Sequence, residues 1–153
     1  MADPVKIVAT NRKARHLYEI LESFEAGIVL KGSEVKSLRE GKVSFVDSFA
    51  RVHEGEVWLY NLHISPYEKG GYINHDPLRN RKLLFHKREI RKIQTETQVK
   101  GLTMIPLKIY FRKSYAKVEV GLGKGKKLFD RRESIAKRDA ERRIERASKD
   151  RES

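Results

Sequence analysis

Short apolar runs punctuated by Gly and Pro fill the chain from Val5 to Leu128, and each predicts a strand or a brief helix. Val5 to Ala9 reads as a strand. Thr10 or Asn11 is placed to cap a basic helix, Arg12 to Tyr18. Ala26 to Leu30 predicts the next strand. Ser33 then caps a helix over Glu34 to Arg39, which Gly41 stops. Two strands follow, Ser44 to Val52 and Val57 to Ile64, joined by the turn His53-Glu54-Gly55-Glu56, where Gly supplies the positive φ of a hairpin. After a loop at Pro66-Tyr67-Glu68-Lys69-Gly70-Gly71, Lys82 to Phe85 leads into a basic helix, His86 to Ile93. Strands over Thr103 to Phe111 and Tyr115 to Leu122 complete the body, with Pro106 demanding an edge position or a bulge. Strands joined by hairpins and short helices exclude a doubly wound parallel sheet. They predict a mainly β fold, a small closed or nearly closed antiparallel barrel.

The pattern changes at residue 129. Phe129 to Ser153 holds no Gly or Pro, and its thin stripe of Ile135, Ala136, Ala140, Ile144 and Ala147 recurs at roughly helical spacing behind a capping-box pair, Asp130 and Glu133. Such a stripe buries too little surface to offset ordering entropy of about 1–2 kcal/mol per residue. The chain is therefore expected to divide into a domain, residues 1–128, and a C-terminal tail, residues 129–153, disordered alone and helical when a partner holds it.

Charge narrows the partner. Lys and Arg number 34 against 21 acids, a net charge of +13. Residues 128–153 carry nine basic and seven acidic side chains, so +11 of that total lies in residues 1–127. Such a body calls for an anionic partner, nucleic acid or a membrane surface. No apolar run approaches the ~20 residues of a membrane span. Met1-Ala2-Asp3-Pro4 lacks the features of a signal peptide, so a cytoplasmic protein is expected. The chain has no Cys, which removes disulfides, thiolate metal sites and Cys nucleophiles. The five His residues show no H-x-x-x-H or H-E-x-x-H spacing, so the reading is of a binding protein with no cofactor or metal, not an enzyme.

Four stretches carry candidate chemistry. Asn11-Arg12-Lys13-Ala14-Arg15-His16 concentrates charge for phosphates, with Asn11 or His16 able to hydrogen-bond a base or a 2′-hydroxyl; the plain alternative is a solvated helix face. Leu78 to Arg88, including Arg81 and Lys82, wraps basic residues around Leu83, Leu84 and Phe85; all three are core by default, though one left outside can pack on a base or sugar. Tyr110 to Lys117 interleaves aromatic and basic residues, as RNA-binding strands do, against the plain reading of an amphipathic hairpin with Phe111 inward. Gly123 to Arg132 lacks the G-x-x-x-x-G-K-[ST] pattern of a nucleotide loop and reads as a flexible basic hinge.

Together these residues resemble a known family. Asn11 to His16, Glu25-Ala26-Gly27-Ile28, Gly32 to Arg39, Asp47-Ser48-Phe49, Pro66-Tyr67, Asp76-Pro77, Arg81 to Leu84, Lys108-Ile109-Tyr110 and Gly125-Lys126-Lys127 are similar to the SmpB (small protein B) family over about residues 10 to 146. The resemblance implies an oligonucleotide-binding-like (OB-like) barrel. It also implies an adaptor of trans-translation that binds the tRNA-like domain of transfer-messenger RNA (tmRNA), stands in for its missing anticodon arm, and delivers alanyl-tmRNA with elongation factor Tu to stalled ribosomes. The family's RNA contacts fall on Asn11, His16, Glu25, Leu84 and Lys117. Its ribosomal contacts fall on Lys124, Gly125, Lys126, Lys127, Phe129, Asp130, Arg131 and Arg132, a tail that enters the empty mRNA channel. Phe49 and Phe129 stand where the family usually has polar aromatics or His, and Arg131 where Lys is usual. A monomer is expected. The competing reading is a barrel ribosomal protein or translation factor bound permanently to ribosomal RNA.

Overall fold

The computed structural model describes residues 4–69 and 74–126. The boundary at 128 and the tail helix expected beyond it lie outside these residues. In chain order the elements are β1 (Val5–Thr10), α1 (Arg12–Leu17), β2 (Tyr18–Ile28), α2 (Gly32–Arg39), β3 (Val43–Ser44), β4 (Phe49–His53), β5 (Glu56–Tyr60), β6 (His63–Ile64), β7 (Arg81–Leu84), α3 (Lys87–Gln98), β8 (Thr103–Arg112) and β9 (Tyr115–Gly125). The large sheet runs β1-β8-β4-β5-β7-β2-β9, all antiparallel, and β9 pairs again with β8. Six strands thus form a ring, with β1 laid along β8 and the short β3–β6 pair standing apart.

Inside the ring lies the main core. Alternate residues of each strand point inward by the pleat: Ala26 and Ile28, Val57 and Leu59, Ile109 and Phe111, and Val118, Val120 and Leu122. Leu38 of α2 and Ile90 and Ile93 of α3 join them. Two expected long strands are each cut in two, because Asp47 and Asn61 take positive φ (62° and 61°). Asp and Asn tolerate that region, and Asn61 Nδ2 donates to the Asp47 carbonyl at 3.2 Å, locking one break against the other. The hairpin between β4 and β5 turns on Glu54 and Gly55, both at positive φ (53° and 78°), matching the expected turn.

Two bulges set the outer surface. One falls between Ile20 and Glu22 of β2, the other between Pro106 and Lys108 of β8, where the sequence called for an edge or a bulge. Both flank β9 and both reverse the alternation. Ile20, Ile105 and Leu107 therefore face outward and, with Tyr18, pack against Ala14 of α1 in a second, smaller core. Gly121 and Gly123 of β9 leave the space: a Cβ at Gly121 would lie 3.0 Å from Ile20 Cγ2 and Leu107 Cδ1, and one at Gly123 2.8 Å from the Glu19 carbonyl oxygen. This packing explains why β2 starts eight residues before the expected strand. Its first half is apolar toward α1, not toward the ring.

A buried ionic network joins α2 to the chain around β6 and β7. Glu34, fully buried, accepts from the Lys31 backbone N–H (2.7 Å), from Arg79 Nη2 and Nε (2.7 and 2.9 Å) and from Arg81 Nε (2.7 Å). Arg81 is equally buried and donates to the carbonyls of Leu62 and Pro77. Ser33, expected as the α2 cap, instead pairs with buried His75, whose Nε2 donates to the Ile64 carbonyl (both 2.8 Å). The helix starts two residues earlier than expected, after Lys31. Burial pushes the Glu34 carboxyl up, but the hydrogen bonds from Arg79 and Lys31 and the charge of Arg81 leave it below the usual carboxylate range. Glu34→Gln should therefore lose about 3–5 kcal/mol in urea unfolding at neutral pH, because Arg81 is left buried without its counter-charge. A depressed native value stabilises the fold fully above the unfolded value of about 4.3 and loses that contribution as pH falls through the native one. Stability of the Glu34→Gln protein should accordingly vary less with pH on the acid side than that of the parent.

Candidate nucleic-acid interface

The outer face of β7, β2, β9 and β8 gathers residues far apart in sequence into one row. Leu84 pairs with Gly27, Gly27 with Lys117, Lys117 with Tyr110, and Tyr110 with Ile7 of β1. Residues directly opposite in antiparallel strands share a face. Gly27 has no side chain to fill its place, so Leu84 lies across it, with its Cδ1 3.4 Å from where a Cβ would stand. Leu84 is 52% exposed, as is Ile7. The default of a core Leu84 is thus corrected. Leu83, its neighbour, takes the core position, and Phe85 packs edge-on against Phe24 (6.1 Å, 76°). The alternation of a strand, Arg81 and Leu83 in, Lys82 and Leu84 out, decides which.

Beside this row, Glu25 is held by two side chains. The Tyr110 hydroxyl donates to Glu25 Oε2, as do Arg112 Nε (3.1 Å) and Nη2 (2.9 Å). Lys108 and Arg112 flank the Tyr110 ring from two residues either side, each 5.8 Å from its centroid. Val5, Ser23, Phe24 and Glu119 complete a cavity of about 300 Å³ around this cluster. The Tyr110 bond, the bond and charge of Arg112 and the charge of Lys117 hold the Glu25 carboxyl below its usual range despite partial burial. Burial and the Glu25 carboxylate push Tyr110 up to about 12, so its hydroxyl remains a donor throughout the neutral range. Glu25 is therefore an ionised acceptor fixed in orientation, ringed by cations. Tyr110 and Arg112 belong to the interleaved stretch marked from the sequence, and Lys108 to a strand quoted for the family resemblance, but none of the three was named as a contact residue. The signal for them was the period-2 interleaving of basic and aromatic residues along Lys108 to Arg112, which reads as a shared face only once the strand's inward side is known.

At the other end of the same outer face lies α1. Ala14 is its buried anchor, while Lys13, Arg15 and His16 are exposed. Asn11 is committed to the fold: its backbone N–H donates to the Leu107 carbonyl (2.8 Å) and its Nδ2 to the Pro106 carbonyl (2.9 Å), tying the helix start to the β8 bulge. Lys126 N–H donates to the Leu17 carbonyl (3.1 Å) and Lys126 Nζ to the Arg15 carbonyl, so the end of β9, with exposed Lys124 and Gly125, leaves the domain beside the basic helix. The structure thus brings Asn11, Lys13, Arg15, His16, Lys124, Gly125 and Lys126 together, and Glu25, Leu84 and Lys117 together. Arg81 belongs to neither group. Its guanidinium is buried on Glu34 and does not reach the surface, since the strand's pleat turns it inward. Lys82 faces out but beside Trp58 and Glu56. Lys127, Phe129, Asp130, Arg131 and Arg132 lie outside the described residues.

The chain as a whole resembles known proteins. The sequence model of the SmpB protein family matches residues 8–150. This chain belongs to the SmpB family. An SsrA-binding protein of Carboxydothermus hydrogenoformans is 63% identical over 142 residues, 93% of this chain and 95% of that one. An SsrA-binding protein of Pelotomaculum thermopropionicum is 60% identical over 147 residues, 96% of each chain. A solved structure described as "tmRNA-SmpB: a journey to the center of the bacterial ribosome" is similar with a TM-score of 0.66 and 61% identity, covering 77% of this chain and 83% of that chain. Within this SmpB fold, the Glu25 cluster predicts a measurable coupling. Tyr110→Phe should raise the Glu25 carboxyl value toward the usual range in an NMR pH titration, and lower stability by about 1–2 kcal/mol through the lost charge-assisted bond. An unchanged Glu25 titration would show that Tyr110 does not orient it.

Proposed function

We propose that this protein is the tmRNA-binding adaptor of trans-translation in its cell. The observation that carries the reading is the outward row Leu84–Gly27–Lys117 beside the Glu25 carboxylate that buried Tyr110 fixes, in a chain whose relatives are SsrA-binding proteins, SsrA being tmRNA. An apolar side chain leaning over a glycine offers a platform for a sugar or an unstacked base. Lys117 supplies charge for a phosphate, and the oriented carboxylate accepts from a base edge or a 2′-hydroxyl. The exposed cations of α1 extend the same face. Such a surface suits a folded RNA with splayed loop bases, the tRNA-like domain. The domain then takes the place of the anticodon arm, and alanyl-tmRNA is delivered to stalled ribosomes with elongation factor Tu in the delivered complex. The segment after Lys126, with Lys127, Phe129, Asp130, Arg131 and Arg132, enters the empty mRNA channel. The protein acts as a monomer in the cytoplasm and catalyses no reaction itself. Among the described residues, no helix is long and apolar enough to cross a membrane.

Binding to tmRNA should weaken steeply with salt, with log K falling against log salt at a slope of about −3.5 to −4.5 for five or so phosphate contacts. Lys117→Ala should shallow that slope by about one unit. Leu84→Ala should weaken binding while leaving both the slope and the melting temperature nearly unchanged, because Leu84 is exposed. Removal of residues 129–153 should leave tmRNA affinity nearly intact and abolish rescue of stalled ribosomes. Loss of tmRNA binding on that truncation, or retention of the protein on ribosomes washed in high salt without tmRNA, would point instead to a resident ribosomal RNA-binding protein.

A further inference from the structure

A groove of about 640 Å³ runs beside α1. Leu17 and Tyr18 line it at the end of the helix, Val43, Phe45 and Val46 line it from β3 and the loop after it, and buried Ile105 of the smaller core lies between. Its apolar walls are incompletely covered. Val46 is 73% exposed, and half-buried Leu17 joins neither core among the described residues. Apolar side chains grouped around a concave surface call for an apolar occupant. The two rims differ in charge: Arg12 and Lys13 of α1 are exposed on one, Asp47 on the other. A phosphate seated between them would meet the Asp47 carboxylate as well as the cations.

The fold delivers its own chain to the mouth of this groove. Gly125 pairs with Tyr18, and Lys126 then donates from its backbone N–H to the Leu17 carbonyl (3.1 Å) and from Nζ to the Arg15 carbonyl. Leu17 is thus both a wall of the groove and a contact of the last described residue. Lys127-Leu128-Phe129-Asp130-Arg131-Arg132 come next, and Leu128-Phe129 is the only adjacent pair of large apolar residues from 127 to 153. The six residues of α1 span about 9 Å at 1.5 Å each. Three extended residues after Lys126 reach about 10 Å, as far as the start of the helix. Asp130 and Arg131 bring both signs of charge to a groove whose rims carry both. We propose that in the free protein Leu128 and Phe129 dock in this groove and stow the root of the tail against the domain, and that they leave it when the tail enters the mRNA channel. The release rests on the reading of the chain as the tmRNA adaptor; the docking does not. Stowage keeps Arg131 and Arg132 from unrelated RNA until the channel competes for the segment.

NMR of the methyl-labelled full-length protein, free of RNA, tests the docking. Nuclear Overhauser contacts should join the Phe129 ring to the methyl groups of Val46 and Ile105, and Phe129→Ser should abolish them and shift those methyl signals. Val46→Ser should abolish the same contacts with the melting temperature unchanged, because this side chain is exposed. Trypsin should also cut after Lys127 about tenfold faster in Val46→Ser than in the parent, since cleavage tracks the population of the open form. Absence of contacts from Leu128 and Phe129 to the groove, or equal cleavage of the two proteins, would overturn the docking. So would Val46 signals that move with protein concentration, which give the groove to a second copy, or that move only when the tRNA-like domain of tmRNA is added, which give it to RNA. The contacts are read without RNA, so the two readings separate. A protein that shows them yet fails to bind tmRNA keeps the docking and loses the proposed function; one that binds tmRNA without them loses only the docking.

Discussion

Closure of the sheet through β8 is the constraint from which the other features follow. This strand pairs with β9 along its length, and its opposite edge carries β1 and β4. A ring of only six strands has room inside for one layer of apolar side chains, so every strand must present its alternate residues to solvent. Such curvature is not available to regular strands. It is met by the bulges near Leu21 and Leu107, which sharpen the twist on both sides of β9. The bulges also reverse the alternation, which creates the small outer core where α1 docks. The glycines at 121 and 123 are required because Ile20, Leu107 and the Glu19 carbonyl crowd the face there. The basic helix is thus fixed on the same side as Lys117 and Glu25 by the geometry that closes the ring.

Burying Glu34 with two arginines is a costly way to join elements, since each charge must be desolvated. Its return here is connectivity. The network ties α2, the Leu62 and Pro77 carbonyls and the start of β7, and His75 and Ser37 extend it to Ile64 and Ser65. These segments contribute little regular sheet of their own. Directional bonds fix what apolar contact alone leaves free to slide. Through β7 the network also sets the register that puts Leu84 over Gly27 and Lys82 beside Trp58.

The outer surface is consequently organised by face. On the β2–β9–β8 side, acids are retained inside a basic region: Glu25 under Tyr110 and Arg112, and Glu119 3.7 Å from Lys108. These pairs lower the net charge but add orientation, which a phosphate-binding surface of lysines alone lacks. On the β4–β5–β7 side the side chains are aromatic and cationic, without a comparable fixed acceptor.

Local sequence pattern was enough for the class of the fold, the places of most strands, the hairpin at Glu54-Gly55, the irregularity at Pro106 and the basic character of the body. Each of these rests on local chemistry: apolar periodicity, the positive φ of glycine, the missing N–H of proline, and a charge count. Resemblance to the SmpB family added Glu25, an acid that composition alone would not select, and picked out Leu84 and Lys117 within stretches already marked by their basic and apolar pattern. Which side each residue faces depends on the folded arrangement. Arg81 and Lys82 are neighbours of like charge, yet one is buried on a carboxylate and the other is at the surface, because the period-2 pleat and a partner 47 residues away settle it. The early half of β2 was hidden because its apolar positions serve α1 rather than the ring, a side exchange made by a bulge that leaves no local mark. The row from Leu84 to Lys117, and the row from Arg51 through Trp58 to Lys82, exist only through strand register, which depends on contacts between residues that are distant in sequence.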